Sequence, residues 1–177
     1  MKILVCITHV PDTTSKIQFT ANNTKFDTTG VQFIIGPYDD YALARAVELR
    51  DQTGGTLTAL NVGEAETEPT LRKALAIGAD DAIRVNSFPK DSFFVATQIA
   101  HYAKSGGYDL ILMGRETSDY NSGVVHGIVG EMLGIPSFSP VMQLDVNGND
   151  RKATIEFEGG VGEKTLLLSF AKLRIIS

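Results

Sequence analysis

The sequence has a single cysteine, three scattered histidines and no long apolar run, and each scarcity removes a class of protein. One cysteine, Cys6, excludes an internal disulfide. His9, His101 and His126 stand too far apart to suggest metal-ligand spacing. Basic residues number 16 against 21 acidic ones and are spread along the chain, so a net charge of -5 provides no electrostatic footprint for a nucleic-acid backbone. The opening run Ile3-Leu4-Val5-Cys6-Ile7 is too short for a signal peptide and no small-residue cleavage site follows it, so it reads as a strand. No stretch approaches the roughly 18 apolar residues of a membrane span. A soluble, cytoplasmic protein is expected, with no nucleic-acid partner and no direct membrane insertion.

What remains is a chain of 177 residues, 43% apolar and 21% charged, which suits one globular domain over residues 1–177. Short apolar runs alternate with longer helical patterns, the mark of parallel strands joined by crossover helices. Strands are expected at 2–7, 56–62, 82–85 and 109–113. Helices are expected at 39–51, 67–77, 91–104 and 122–133. The second of these has Pro69 in its first turn, where no backbone donor is missed, and Gly78 just past its end. A polar excursion at 11–30 is expected to carry a small hairpin near 25–33. Segments 138–145, 154–157 and 165–170, separated by Asn-Gly and Gly-Gly turns, read as a β-meander. The expected fold is α/β: an open, mostly parallel five-stranded sheet in the order 3-2-1-4-5, with helices on both faces and antiparallel strands extending its edge.

In such a sheet ligands bind beyond the carboxyl ends of the strands, where the connections switch direction, here between strands one and four. The stretch Gly114-Arg115-Glu116-Thr117-Ser118-Asp119-Tyr120-Asn121-Ser122-Gly123 follows strand four and opens a helix. Free amides, the Thr117, Ser118 and Ser122 hydroxyls and the Arg115 cation together suit a phosphate cradle. The competing reading is a solvated loop in which Asn121 or Ser122 caps the helix. The spacing matches neither the Walker loop nor the dinucleotide fingerprint. Gly36-Pro37-Tyr38-Asp39 opens another helix; its amides are a second candidate, against plain turn chemistry with Asp39 as cap. Val62 and Gly63 end strand two, where an adenine ring fits or where a turn simply begins. Cys6 in an apolar strand suits the core better than nucleophilic chemistry, and His9 suits a solvated loop better than ligand contact. No nucleophile, paired carboxylates or metal motif points to catalysis.

Several segments together resemble the β-subunit family of electron-transfer flavoproteins. They are Lys2-Ile3-Leu4-Val5-Cys6-Ile7 with Val10-Pro11-Asp12, then Gly36-Pro37-Tyr38-Asp39, then Leu71-Arg72-Lys73-Ala74-Leu75-Ala76-Ile77-Gly78-Ala79-Asp80. Tyr108-Asp109-Leu110-Ile111-Leu112-Met113-Gly114-Arg115-Glu116-Thr117, Leu133-Gly134-Ile135-Pro136 and Glu158-Gly159-Gly160 continue the likeness in the same order. The resemblance implies an adenine-nucleotide α-hydrolase-like domain that holds AMP, or a second FAD, and performs no bond chemistry of its own. It implies a heterodimer with an α-subunit carrying the redox FAD, relaying electrons from dehydrogenases or to a quinone reductase. Carried over by position, it puts Cys6, Gly36, Pro37, Tyr38, Asp39, Val62 and the 114–123 loop around the nucleotide, Arg115 on its phosphates, and Tyr38 near the flavin ring of the partner.

The sequence departs from that family in places. A basic residue is usual where Thr8 stands, an asparagine where Gly36 stands and a glutamine where Glu116 stands. The family also continues beyond Ser177 with a docking segment and an arm around the α-subunit, so the chain reads as a short member lacking both. The alternative is a stand-alone ATP- or AMP-binding module similar to universal stress proteins, against which the loop after strand four lacks the paired-glycine, Gly-Ser pattern.

Overall fold

A computed structural model of the chain describes residues 1–20, 22–147, 152–157, 164–169 and 174–176. It opens with β1 (Lys2–Cys6), β2 (His9–Pro11) and β3 (Phe33–Ile35), followed by α1 (Pro37–Thr53) and β4 (Thr56–Gly63). A 3₁₀ turn (Ala65–Thr67) leads into α2 (Glu68–Ile77), then β5 (Asp81–Asn86), α3 (Ser92–Gly106), β6 (Leu110–Met113) and α4 (Val125–Leu133). The last strands are β7 (Ser137–Phe138), β8 (Val141–Asn147), β9 (Lys152–Phe157), β10 (Lys164–Ser169) and β11 (Arg174–Ile176).

The main sheet runs β5-β4-β1-β6-β11-β7 with every pairing parallel. The expected α/β class and the 3-2-1-4 order of its first four strands are therefore present. The fifth position belongs to Arg174–Ile176, brought back from the end of the chain to lie beside β6, a long-range pairing that local patterning does not signal. The antiparallel strands do not extend this edge. They form their own three-stranded sheet, β10-β9-β8. The segment expected at 138–145 is divided between two sheets, Ser137–Phe138 (β7) in the main sheet and Val141–Asn147 (β8) in the meander. The hairpin expected near 25–33 is replaced by a pairing of β2 with β3 across the whole excursion, plus one bridge between Phe19 and Phe26.

Alternation along the central strands explains the layers, because successive side chains point to opposite faces. Ile3, Val5 and Ile7 pack with Leu43, Ala46 and Leu49 of α1 and Leu71 and Ala74 of α2. Leu4 and Cys6 pack on the other side with Ala96, Ile99, Ala100 and Ala103 of α3 and Val129 of α4. A strand covered on both faces reads as a continuous apolar run, as β1 and β6 do. Each fully buried Leu or Ile contributes roughly 1.5–3 kcal/mol of transfer free energy. Among the described residues no helix is long and apolar enough to cross a membrane.

Helix boundaries follow local chemistry. Pro37 begins α1 at a position that misses no donor, and Asp39 and Asp40 sit in its first, positive turn. Asp91 caps α3, its side chain accepting from Phe94 N at 2.7 Å. Helix α4 starts at Val125, three residues later than expected, with no side-chain cap. Asn121 does not cap it; it adopts a left-handed φ of 50° and donates its amide to Thr117 O at 2.9 Å.

Candidate functional site

Strand β1 lies between β4 and β6, so the chain leaves it toward one side and later resumes on the other. That switch leaves a crevice beyond the carboxyl ends of the three strands. A cavity of about 650 Å³ opens there.

Its floor comes from the strand ends. Cys6 and Ile7 contribute from β1, Leu60, Asn61 and Val62 from β4, and Met113 from β6. The Cys6 thiol is held neutral, its pKa pushed far up by burial and then by the nearby Asp39 carboxylate, which agrees with a packing role and not a nucleophilic one. Asn61 is buried and donates Nδ2 to Ile7 O at 2.8 Å. Its Oδ1 is the one buried side-chain polar atom among the described residues that has no hydrogen-bond partner. A buried acceptor left unpaired costs about 1–3 kcal/mol, and this one lies against Gly63, where an added Cβ would come within 2.7 Å of it.

Asp39 ties two strand exits together. Its Oδ2 accepts from Thr8 N at 2.8 Å and from Thr8 Oγ1, and its Oδ1 accepts from Gly114 N at 2.9 Å. Burial pushes its pKa up to about 6, against the hydrogen bonds from Thr8 and Gly114 that hold it down. The expected helix-capping role is not the one observed: the cap position of α1 is Gly36, and no side-chain cap bond forms there. Both glycines are required by close approach. A Cβ on Gly114 would lie 2.9 Å from Asp39 N and 3.0 Å from the Tyr38 carbonyl carbon, and one on Gly36 would collide with Thr8 Oγ1 and Asp39 Oδ2.

The loop after β6 forms the mouth. Gly114, Arg115, Glu116, Thr117, Asp119, Tyr120 and Ser122 line the cavity. Arg115 pairs with Glu116 at 3.2 Å and stands over the Tyr38 ring at 5.5 Å. Asp119 accepts from Tyr120 N at 2.8 Å, and Ser122 N donates to Thr117 Oγ1 at 3.4 Å. Ser122 Oγ meets Ser92 Oγ at 2.6 Å, joining the loop to the start of α3.

Of the residues singled out from the sequence, the cavity thus gathers Cys6, Asp39, Val62, Gly114, Arg115, Glu116, Thr117, Asp119, Tyr120 and Ser122. Gly36, Pro37, Ser118, Asn121 and Gly123 stand outside its wall. Tyr38 lines a neighbouring groove of about 630 Å³ between α1 and β8, which shares Met113 and Arg115 with the cavity. His9 is not solvated; it is half-buried, stacked on Phe33 with centroids 4.4 Å apart and bonded through Nδ1 to Thr70 Oγ1 at 2.7 Å. Sequence reasoning missed the opposite wall, where Phe88, Pro89, Lys90, Asp91 and Ser92 approach from the end of β5. It also missed Asn61 and His126. The signal for the first was Asp91, the cap of the helix that follows β5; Asn61 lies inside the otherwise mostly apolar end of β4.

The match to the electron transfer flavoprotein domain covers residues 23–175. The electron transfer flavoprotein subunit beta of Bacillus subtilis is 36% identical over 165 residues, 91% of this chain and 63% of its own length. Protein FixA of Azorhizobium caulinodans is 34% identical, covering 91% of this chain and 61% of the relative. The acryloyl-CoA reductase electron transfer subunit gamma of Anaerotignum propionicum is 33% identical over 77% of this chain and 53% of its own. The chain thus spans less than two thirds of the length of these relatives.

Proposed function

Because the chain belongs to the electron transfer flavoprotein family, on the side of its β-subunits, we propose that its cavity holds an adenine nucleotide and that it pairs with an FAD-bearing α-subunit to relay electrons. The observation that carries this reading is the cavity at the switch point, floored by Cys6, Leu60 and Val62 and rimmed by the polar loop from Gly114 to Ser122. Leu60 and Val62, both at the cavity wall, provide an apolar surface for an adenine ring. The amide and hydroxyl of Thr117, with Arg115, are the groups suited to phosphate at the other end.

AMP fits this division of an apolar and a polar end most simply, and FAD shares the same adenylate half. When bound, a flavin supplies the one-electron chemistry. The chain's residues bind and orient: Leu60 and Val62 pack on the base, Gly114 lets the loop close on Asp39, and the polar loop sets the charge around the phosphate. The Glu116 carboxylate is tolerated by its pairing with Arg115.

Acid extraction of the purified chain followed by nucleotide chromatography tests the ligand. AMP or FAD released in stoichiometric amount is the expected result, and an extract free of both contradicts it. Co-expression with an α-subunit tests the partnership: a stable heterodimer is expected, and failure to co-purify removes the electron-relay part of the reading.

A further inference from the structure

Asp39 is a buried titratable group that makes three hydrogen bonds, all of them to the two strand exits that flank the cavity. We propose that Asp39 is a positioning residue for the nucleotide site, a clamp whose ionised carboxylate locks the loop beginning at Gly114 against the exit of β1, so that losing its charge loosens ligand retention. This rests on the nucleotide reading above and adds to it a control element that acts on the site by holding Gly114 and Thr8.

Geometry supports the assignment. Both carboxylate oxygens are used, one on each side of the switch point, so the group bridges the two strand exits at the cavity wall. Two of the three donors are backbone amides, whose positions define the loop paths themselves. Charge-assisted bonds of this kind are about twice as strong as neutral ones, so a neutral carboxyl holds both exits less firmly. Gly36 and Gly114 leave the space the carboxylate and Thr8 Oγ1 occupy, and a Cβ at either would intrude. Only loops kept this close give the clamp its short bonds.

The carboxyl pKa, near 6, places the change of charge in an accessible range. The charged neighbours must be separated from it. Asp40 lies on the same helix and Cys6 faces Asp39 from β1. Arg115 adjoins from the β6 side, and Glu116, Asp119, His126, Lys90 and Asp91 share the cavity wall. A substituent phosphate on the ligand adds its own titration. Comparing wild type with Asp39→Asn at each pH cancels all of these, because only the Asp39 contribution differs between the two proteins.

The experiment has two arms. In the first, AMP affinity of wild type and Asp39→Asn is measured by calorimetry from pH 5 to pH 8. Wild type is expected to bind about tenfold tighter at pH 8, the worth of one charge-assisted hydrogen bond, with the ratio falling toward one at pH 5. A ratio near one at pH 8, or one that does not change with pH, overturns the clamp. In the second arm, the amide resonances of Thr8 and Gly114 are followed by NMR in ligand-free wild type. They are expected to titrate together with a midpoint near the Asp39 value, and amides that stay still over this range overturn the proposal without reference to any ligand or variant. If wild type binds no AMP, the functional reading fails by itself and the amide titration decides the clamp.

Discussion

Ser92 Oγ and Ser122 Oγ lie 2.6 Å apart, the first at the start of α3 and the second in the loop after β6. Thirty residues separate them in sequence, and the bond closes the cavity on the side that the strand ends leave open. A loop of mostly exposed polar residues is thereby anchored at both ends, to Asp39 through Gly114 and to α3 through Ser122.

Replacing Ser92 by Ala removes that anchor without adding bulk. Stability is expected to fall by about 0.5–1.5 kcal/mol, the range for one neutral hydrogen bond. Urea denaturation measures it, and an unchanged midpoint shows that the two hydroxyls are held by solvent as readily as by each other.

Arg115 and Glu116 form a pair open to solvent, which contributes at most about 1 kcal/mol to the fold. Their effect on an anionic ligand is larger. Arg115→Ala is expected to weaken AMP binding by about 1.5–3 kcal/mol. Glu116→Gln is expected to tighten it by about 1 kcal/mol at low salt, an advantage that shrinks as salt screens the charge. Calorimetric titration checks both, and unchanged affinity in Arg115→Ala removes that side chain from the site.

Asp39 also makes a statement about stability. A carboxyl that burial pushes up to about 6 in the folded state holds its proton more tightly there than in the unfolded chain. It therefore favours folding at low pH, and that contribution is lost as pH rises from about 4 to about 6. Measured against Asp39→Asn, wild type is expected to gain stability as pH falls through this window. The opposite slope in denaturation midpoints contradicts the assigned environment. The ionised clamp thus trades stability for an ordered cavity, a common arrangement at binding sites.

Leu43 of α1 is fully buried against the central sheet. Leu43→Ala is expected to destabilise by about 2–5 kcal/mol, the sum of lost transfer energy and a residual cavity. A loss under about 1 kcal/mol in thermal or chemical denaturation means that the helix repacks over the gap.

Much of the fold was legible because its signals are local. Pro69 and Gly78 frame α2 within one residue of expectation, and β1, β4 and β6 announce themselves as apolar runs closed on both faces. What escaped the sequence is long-range. The pairing of Arg174–Ile176 with β6 and of His9–Pro11 with Phe33–Ile35 joins segments whose own patterns do not name a partner. The site divides the same way. The loop from Gly114 to Ser122 was visible as small polar residues before a helix, whereas the wall from Phe88 to Ser92 depends on how α3 is carried over the sheet. Asp39 looked like a helix cap because acids are common there, and only the closeness of Gly36 and Gly114 shows that it reaches across the crevice instead.

Whether an adenine nucleotide occupies the cavity is decided by an NMR titration of the chain with AMP. Saturable shifts are expected in the amides of Val62, Gly114 and Ser122, while the exposed Leu75 of α2 stays still. No change at these positions at saturating AMP, or changes confined to another surface, contradicts that occupancy.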